Sequence, residues 1–316
     1  MDKRSWYMTE KQKSVFDNLW RQAEKVFDWR THYQGKRGTE RYRAGVRVFC
    51  KHLAIEYSSK NFKNISDKHL ESFVKASIES GITATTIKTD ISSIKKLHSM
   101  LPKKRYPKLS GDYSLVGAEK RKMGGVDRAW SNDEVQHALS IAREMGRTDI
   151  DWAIRFGRLL GLRIEETTAV TRTQVRDAMK KEYLALSNTK GGIPRDAPIN
   201  PAAKRLIAEI LKVETNEKIF LRHGRTHKQA MKSIQNWISN YRTFFTDDEK
   251  DDKKPLHFHG LRHSYARWQY KLRIDNGMKK KKARKEVAEL LGHGRDQVTK
   301  IYLAEEDNEE GVNKRS

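Results

Sequence analysis

The chain has 316 residues, enough at roughly 150 residues per domain for two domains, and its 65 Lys and Arg against 41 Asp and Glu leave a formal net charge of +24. Only 36% of the residues are hydrophobic, but 7 Trp, 11 Tyr and 10 Phe are enough to build packed cores, which excludes wholesale disorder. No apolar run approaches the ~18 residues of a membrane span, Met1-Asp2-Lys3-Arg4-Ser5-Trp6 lacks the apolar stretch of a secretory leader, and the single Cys50 excludes an intrachain disulfide or a cysteine-based zinc site. The charge calls for a polyanionic partner, most simply nucleic acid, with a generically basic soluble protein as the alternative.

Residues 10–30 place Val15, Leu19, Ala23, Val26 and Phe27 at helical spacing, and Gly35 and Gly38 break that pattern. Tyr42, Val46, Phe49 and Leu53 mark a second helix. Asp67 is the expected cap of a third, which carries Leu70, Phe73, Val74 and Ile78 and ends at Gly81. Ile87, Ile91, Ile94, Leu97 and Leu101 form the clearest amphipathic stripe, with Thr83 as its cap. These patterns divide the first part into an N-terminal helical extension, 1–36, and a helical bundle, 37–102. Residues 103–128 hold Pro107 and several glycines without periodicity and read as a linker, made basic by Lys103, Lys104 and Arg105.

Ser131-Asn132-Asp133-Glu134 then fits a capping box opening a helix with Val135, Leu139 and Ala142. Another helix carries Trp152, Phe156, Leu159 and Leu160 up to Gly161. Tyr183–Ser187 and Ile193–Ile199 read as two strands around the turn Asn188-Thr189-Lys190-Gly191-Gly192. Helices are expected from Pro201 to Leu211, over 228–245, and over 260–274, 283–291 and 295–304. The fold class is therefore mainly α with one small β-hairpin; no βαβ alternation, Walker loop or Rossmann fingerprint is present. Positive charge is spread over both parts: residues 1–125 carry 27 basic and 13 acidic side chains, a net of +14, and the remainder carries +10. A lysine cluster at 279–285 and an acidic run, Glu305–Glu310, in a C-terminal tail at 305–316 are the local extremes.

Three short stretches hold residues suited to chemistry. His259-Gly260-Leu261-Arg262-His263 puts His259 and Arg262 on one helical face, an imidazole beside a rigid fork of donors that suits a phosphodiester. The same stretch admits a rival reading, with His257, His259 and His263 as zinc ligands, but no carboxylate in metalloprotease spacing accompanies them. Gly161-Leu162-Arg163 is followed by Glu166, a pair that by itself reads equally as an ordinary helical ion pair. Leu290-Leu291-Gly292-His293 precedes Tyr302 by nine residues, and a tyrosine among apolar neighbours is most often a core or interface aromatic.

In this order and spacing the motifs resemble the tyrosine recombinase (phage integrase) family over roughly residues 130–304. The family's first arginine box is matched by Gly161-Leu162-Arg163 and Glu166, its hairpin lysine by Lys190, its His-x-Leu-Arg-His box by residues 259–263, and its Leu-Gly-His motif with a distant tyrosine by His293 and Tyr302. The resemblance implies a two-domain DNA clamp: a helical core-binding domain over 37–102, a basic linker over 103–128 with Lys103, Lys104 and Arg105 as DNA contacts, and a catalytic domain over 129–304. It implies cleavage of duplex DNA through a 3′-phosphotyrosine, with Tyr302 as nucleophile and Arg163, Arg262 and His293 stabilising the attacked phosphate. Lys190 would be the general acid for the leaving 5′-oxygen, His259 the acid–base partner of the tyrosine, and Glu166 the residue orienting that shell. No metal ion and no cofactor enter such chemistry. Also implied are a homotetramer on synapsed sites, a directionality factor, a mobile genetic element as substrate, and a place on the nucleoid in a bacterial cytoplasm. A type IB topoisomerase and an inactive DNA-binding relative are the competing readings.

Overall fold

The computed structural model describes residues 6–27, 36–109, 128–187, 194–221, 225–247, 255–292 and 302–303. It divides into two compact units, Met1–Arg121 and Lys122–Ser316.

The first unit is helical: α1 (Glu10–Val26), α2 (Lys36–Glu56), α3 (Asp67–Glu79) and α4 (Ala84–Met100), with a single 3-10 turn at Phe62–Asn64 among its described residues. Thr9 opens α1 by accepting from the Gln12 amide, and Thr83 does the same for α4 through Thr86. The cap of α3 is Ser66 rather than Asp67. Its amide donates to Nδ1 of His69 at 3.2 Å, and Asp67 becomes the first helical residue, where its charge suits the positive end of the helix. Gly38 does not break a helix; it lies in the first turn of α2. Phe49, Leu53, Leu70, Phe73, Ile87 and Ile94 are buried together. Phe16, Leu19, Ala23 and Phe27 join them, so the N-terminal segment helps to build this core. Residues 103–109 also stay with the unit: Lys104 donates to the Ser99 carbonyl at 3.1 Å, the Arg105 amide to the Lys63 carbonyl at 2.9 Å, and Leu109 is buried.

The second unit carries α5 (Asn132–Glu144), α6 (Thr148–Leu160), α7 (Ile164–Ala169) and α8 (Arg172–Lys181). These are followed by β1 (Tyr183–Leu186), β2 (Arg195–Pro198), α9 (Pro201–Lys212), α10 (His227–Tyr241), α11 (Phe258–Asp275) and α12 (Lys280–Leu290). Ser131 and Glu134 form the expected capping box. Helix α9 starts with Pro201 behind the Asn200 cap, where a missing N–H costs nothing. β1 and β2 pair antiparallel, with Leu184 opposite Ala197 and Leu186 opposite Arg195. The hairpin tip and the helix expected over 295–304 fall outside the described residues apart from Tyr302 and Leu303. Helices α7 and α8 were not anticipated. No helix among the described residues is long and apolar enough to cross a membrane.

Trp130, Phe156, Leu160, Leu162, Ile207 and Trp237 are among the buried residues of the main core. A second cluster joins Tyr265, Tyr270, Val287 and Leu291 of the α11–α12 region to Tyr302 and Leu303. Two glycines allow the close approaches that shape the site. Gly161 ends α6 at φ +61°, and a Cβ there would run into the Tyr265 ring. A Cβ on Gly260 would meet the Arg128 carbonyl and the Trp130 ring.

Candidate active site

The left-handed turn at Gly161 sends the chain directly into α7, so that Arg163 becomes its cap and Glu166 its third residue. Glu166 turns back on the cap. Its Oε2 accepts from the Arg163 amide at 2.9 Å and its Oε1 from Arg163 Nη1 at 2.7 Å. The same carboxylate accepts from Arg195 Nη2 at 2.7 Å and lies 3.8 Å from Arg262 Nη1. The pair that by itself could pass for an ordinary helical ion pair thus lies in a buried three-arginine cluster centred on Glu166. Burial alone would push the Glu166 carboxyl up. Arg195's hydrogen bond and charge, the Arg163 amide and Arg262 together outweigh it and hold the group down at about 2.

Arg262 comes from the first turns of α11 and is fully buried. Burial pushes its guanidinium down to about 9, helped by the charges of Arg163 and Arg195 and opposed by Tyr302 and Glu166, so it stays protonated at neutral pH. Its Nη groups donate to the carbonyls of Gly161 and Leu291. The sequence suggests two equivalent forks for a phosphate, but the structure distinguishes them: the Arg163 side chain is 15% exposed and that of Arg262 is 0%.

His259, one turn before Arg262, places Nε2 3.1 Å from the Tyr302 hydroxyl. Part of His259 is exposed, but its ring stands edge-on to the Tyr302 ring, with centroids 5.5 Å apart. Desolvation, then the charges of Arg262, Arg163 and Arg128, lower its pKa to about 4 against the opposing pull of Glu165. The imidazole is therefore neutral at pH 7 and able to accept a proton. Tyr302 is 6% exposed and packs against His263, with ring centroids 4.2 Å apart, while its carbonyl accepts from Arg267 Nε at 3.3 Å.

The structure thus brings together Arg163, Glu166, His259, Arg262 and Tyr302, residues spread over 140 positions of sequence. Lys190 and His293 lie outside the described residues. Sequence reasoning missed Arg195, and it gave His263 a role only in the rival zinc reading, whereas the structure packs His263 against Tyr302. The signal for Arg195 was available in the strand alternation, which turns its position to the interior. Among the described residues no group of three His, Cys, Asp or Glu side chains is arranged to hold a metal ion. Lys103, Lys104 and Arg105 belong to the first unit, with Lys103 and Arg105 exposed.

Comparison with known proteins adds to this geometry. Residues 130–309 match the phage integrase family and residues 35–105 match the phage integrase N-terminal SAM-like domain. A tyrosine recombinase of Thermosipho africanus (strain TCF52B) is 28% identical over 278 residues, covering 85% of this chain and 88% of the relative. Among solved structures, the Tn1549 transposon integrase in complex with transposon right-end DNA superposes with a TM-score of 0.65 at 16% identity, covering 95% of this chain and 98% of that one. A lambda integrase dimer bound to a COC′ core site gives 0.64 at 14%, covering 94% and 81%. A lambda integrase tetramer bound to a Holliday junction gives 0.64 at 15%, covering 92% and 76%. The chain belongs to the phage integrase family of tyrosine recombinases. It is a site-specific recombinase, an enzyme that cleaves and rejoins DNA strands.

Proposed function

We propose that Tyr302 is the nucleophile and that His259 is the base receiving its proton. The observation that carries this reading is the 3.1 Å contact between the Tyr302 hydroxyl and an imidazole kept neutral by its surroundings. A tyrosine hydroxyl is a weak nucleophile until a neighbouring base takes its proton. The phenolate oxygen attacks the scissile phosphorus as the bond to the 5′-oxygen breaks. A 3′-phosphotyrosine forms, and Lys190 delivers the proton that the 5′-hydroxyl requires. Arg163 meets the phosphate through its exposed part, Arg262 adds a buried positive charge, His293 donates a further hydrogen bond, and Glu166 holds the arginines. Reversal of these steps by a 5′-hydroxyl from another strand rejoins the DNA. The ester conserves the bond energy, so no nucleotide cofactor and no metal ion take part.

The substrate on this reading is duplex DNA gripped by both positive modules, including Lys103, Lys104 and Arg105. Four copies would act together on two synapsed sites; support comes from the likeness to the lambda integrase tetramer bound to a Holliday junction. The likeness to a transposon integrase favours integration or excision of a mobile element; on this reading a directionality factor chooses between them and the nucleoid is the place of action. A nicked suicide duplex carrying the element's end tests the chemistry. The parent protein should accumulate a covalent adduct, in EDTA as well as in magnesium, and Tyr302→Phe should form none. Joining of two marked duplexes separates this reading from a topoisomerase, which would relax supercoils without recombinant products.

A further inference from the structure

Arg195 opens β2 opposite Leu186, at a position the strand alternation turns inward. A strand normally buries an apolar side chain there, but this one buries an arginine whose side chain is only 5% exposed. Its Nη2 donates to Glu166 Oε2 at 2.7 Å and its Nη1 to the Leu290 carbonyl at 2.8 Å, at the end of α12. Its stem lies against Gly292, where a Cβ would come within 2.9 Å of Arg195 Cδ; Gly292 itself has φ +61°. Arg262 holds the next carbonyl, that of Leu291. Two arginines from different elements therefore grip successive carbonyls of the turn that leads into His293, and both face one carboxylate.

We propose that Arg195 is a positioning residue for DNA cleavage: it fastens the Glu166 carboxylate and the Leu290–Gly292 turn in one arrangement, so that the arginine cluster and Tyr302 meet the same phosphate. Both Nη groups are engaged and the side chain is buried, so Arg195 acts through its neighbours and not on the substrate. Methionine could fill the space but would hold neither partner. Lysine could keep the charge beside Glu166 but would lose the second, divergent donor. The charged groups facing Glu166 are Arg163 from the start of α7, Arg195 from β2 and Arg262 from α11. Of these, Arg195 contributes most to keeping the carboxyl ionised against burial.

The inference rests on Tyr302 being the nucleophile, so Tyr302→Phe accompanies the test. An adduct formed by that variant would overturn the nucleophile assignment whatever Arg195 does. Full-length Arg195→Met and Arg195→Lys would be compared with the parent for affinity to the intact site, thermal midpoint and adduct formation on the nicked duplex across pH. Arg195→Met is expected to bind DNA within threefold of the parent and to melt cooperatively, while forming the adduct roughly 100-fold more slowly. The acid limb, set in the parent by His259, should move upward, because Glu166 without its strongest partner then titrates at higher pH and joins that limb. Arg195→Lys should fall between the two in rate with an unmoved acid limb. Cleavage by Arg195→Met within threefold of the parent would overturn the proposal. So would a loss of cleavage matched by an equal loss of binding with no movement of the acid limb. If Arg195→Met fails to fold, Arg195→Lys decides: parental rates contradict a positioning role, and a tenfold or greater loss with parental melting supports it.

Discussion

The Tyr302 hydroxyl lies 3.1 Å from Nε2 of His259, and the histidine that receives this contact has a pKa lowered to about 4 by desolvation and by Arg262, Arg163 and Arg128. The positive field that attracts a phosphate also prevents the neighbouring imidazole from charging. A neutral base and an anion site thus occupy the same space: burial first, and the arginine charges second, keep the base neutral, and the arginines make the anion site.

His259→Ala should slow adduct formation by about 100-fold or more, within the range that removal of a general base produces. Its defect should shrink at alkaline pH, where hydroxide in solution can take the proton in place of the imidazole. In the parent, cleavage that depends on neutral His259 should persist down to mildly acidic pH and fail only as pH drops through about 4. Single-turnover rates across pH on a nicked duplex would read both effects. A parental rate for His259→Ala at pH 7 would rule out the base assignment.

Removing Glu166 should be more damaging to the fold than removing a surface carboxylate. Glu166→Ala leaves Arg163, Arg195 and Arg262 facing one another around a buried space, a loss on the order of 3–5 kcal/mol for an uncompensated buried charge. The pH dependence follows from the direction of the shift: the carboxyl is depressed from 4.5 to about 2, so its stabilising contribution is complete above 4.5 and is lost as pH falls through 2. Denaturant unfolding of parent and Glu166→Ala should therefore differ strongly at pH 7 and converge toward pH 2.

A second acid-sensitive group sits in the first unit. His52 is buried among the rings of Trp6, Tyr57 and Phe73, and desolvation, with the charge of His69, lowers its pKa from 6.5 to about 4. The unfolded chain then binds a proton that the folded chain refuses between these values, so stability falls as pH drops from 6.5 to 4. The full effect is on the order of 3 kcal/mol, and a flatter stability profile over this window is expected for His52→Gln. An unchanged slope would contradict the burial argument.

Gly161 ends α6 with both a positive φ and a Tyr265 ring where a Cβ would stand. Gly161→Ala should cost about 1–2 kcal/mol for the backbone alone and more for the clash. Adding Tyr265→Leu should restore only the steric part, which leaves a residual backbone cost in a double-mutant comparison of thermal midpoints.

The elements read correctly from sequence are those whose signals are local. Ser131 and Glu134 announce α5, Gly161 closes α6, and Pro201 behind Asn200 opens α9. Helix α7 escaped because six residues are too few for a period to show. Helix α8 buries only Val175 and Ala178 among charged residues, and only the reciprocal cap between Thr171 and Gln174 marks it. Ser66 was passed over because its partner three residues on is His69, an uncommon acceptor at that position. The site shows the same division. Arg163, His259, Arg262 and Tyr302 lie in motifs with recognisable spacing. Arg195 is an isolated arginine whose role depends on strand register and on a turn 95 residues away.

The charge of +24 also has a measurable consequence. Because phosphate neutralisation releases counterions, the logarithm of the binding constant for duplex DNA should fall linearly and steeply with the logarithm of salt. Replacing Lys103, Lys104 and Arg105 with alanine should make the slope shallower and weaken all sequences alike if these residues contact the backbone. An unchanged slope would remove them from the DNA surface.

The most direct test of the central claim is the identity of the DNA-linked residue. Nuclease digestion of the adduct trapped on a nicked duplex, followed by peptide mass spectrometry, should find a 3′-nucleotide remnant on Tyr302 and on no other residue. A remnant on another side chain, or an adduct that survives in Tyr302→Phe, would contradict it.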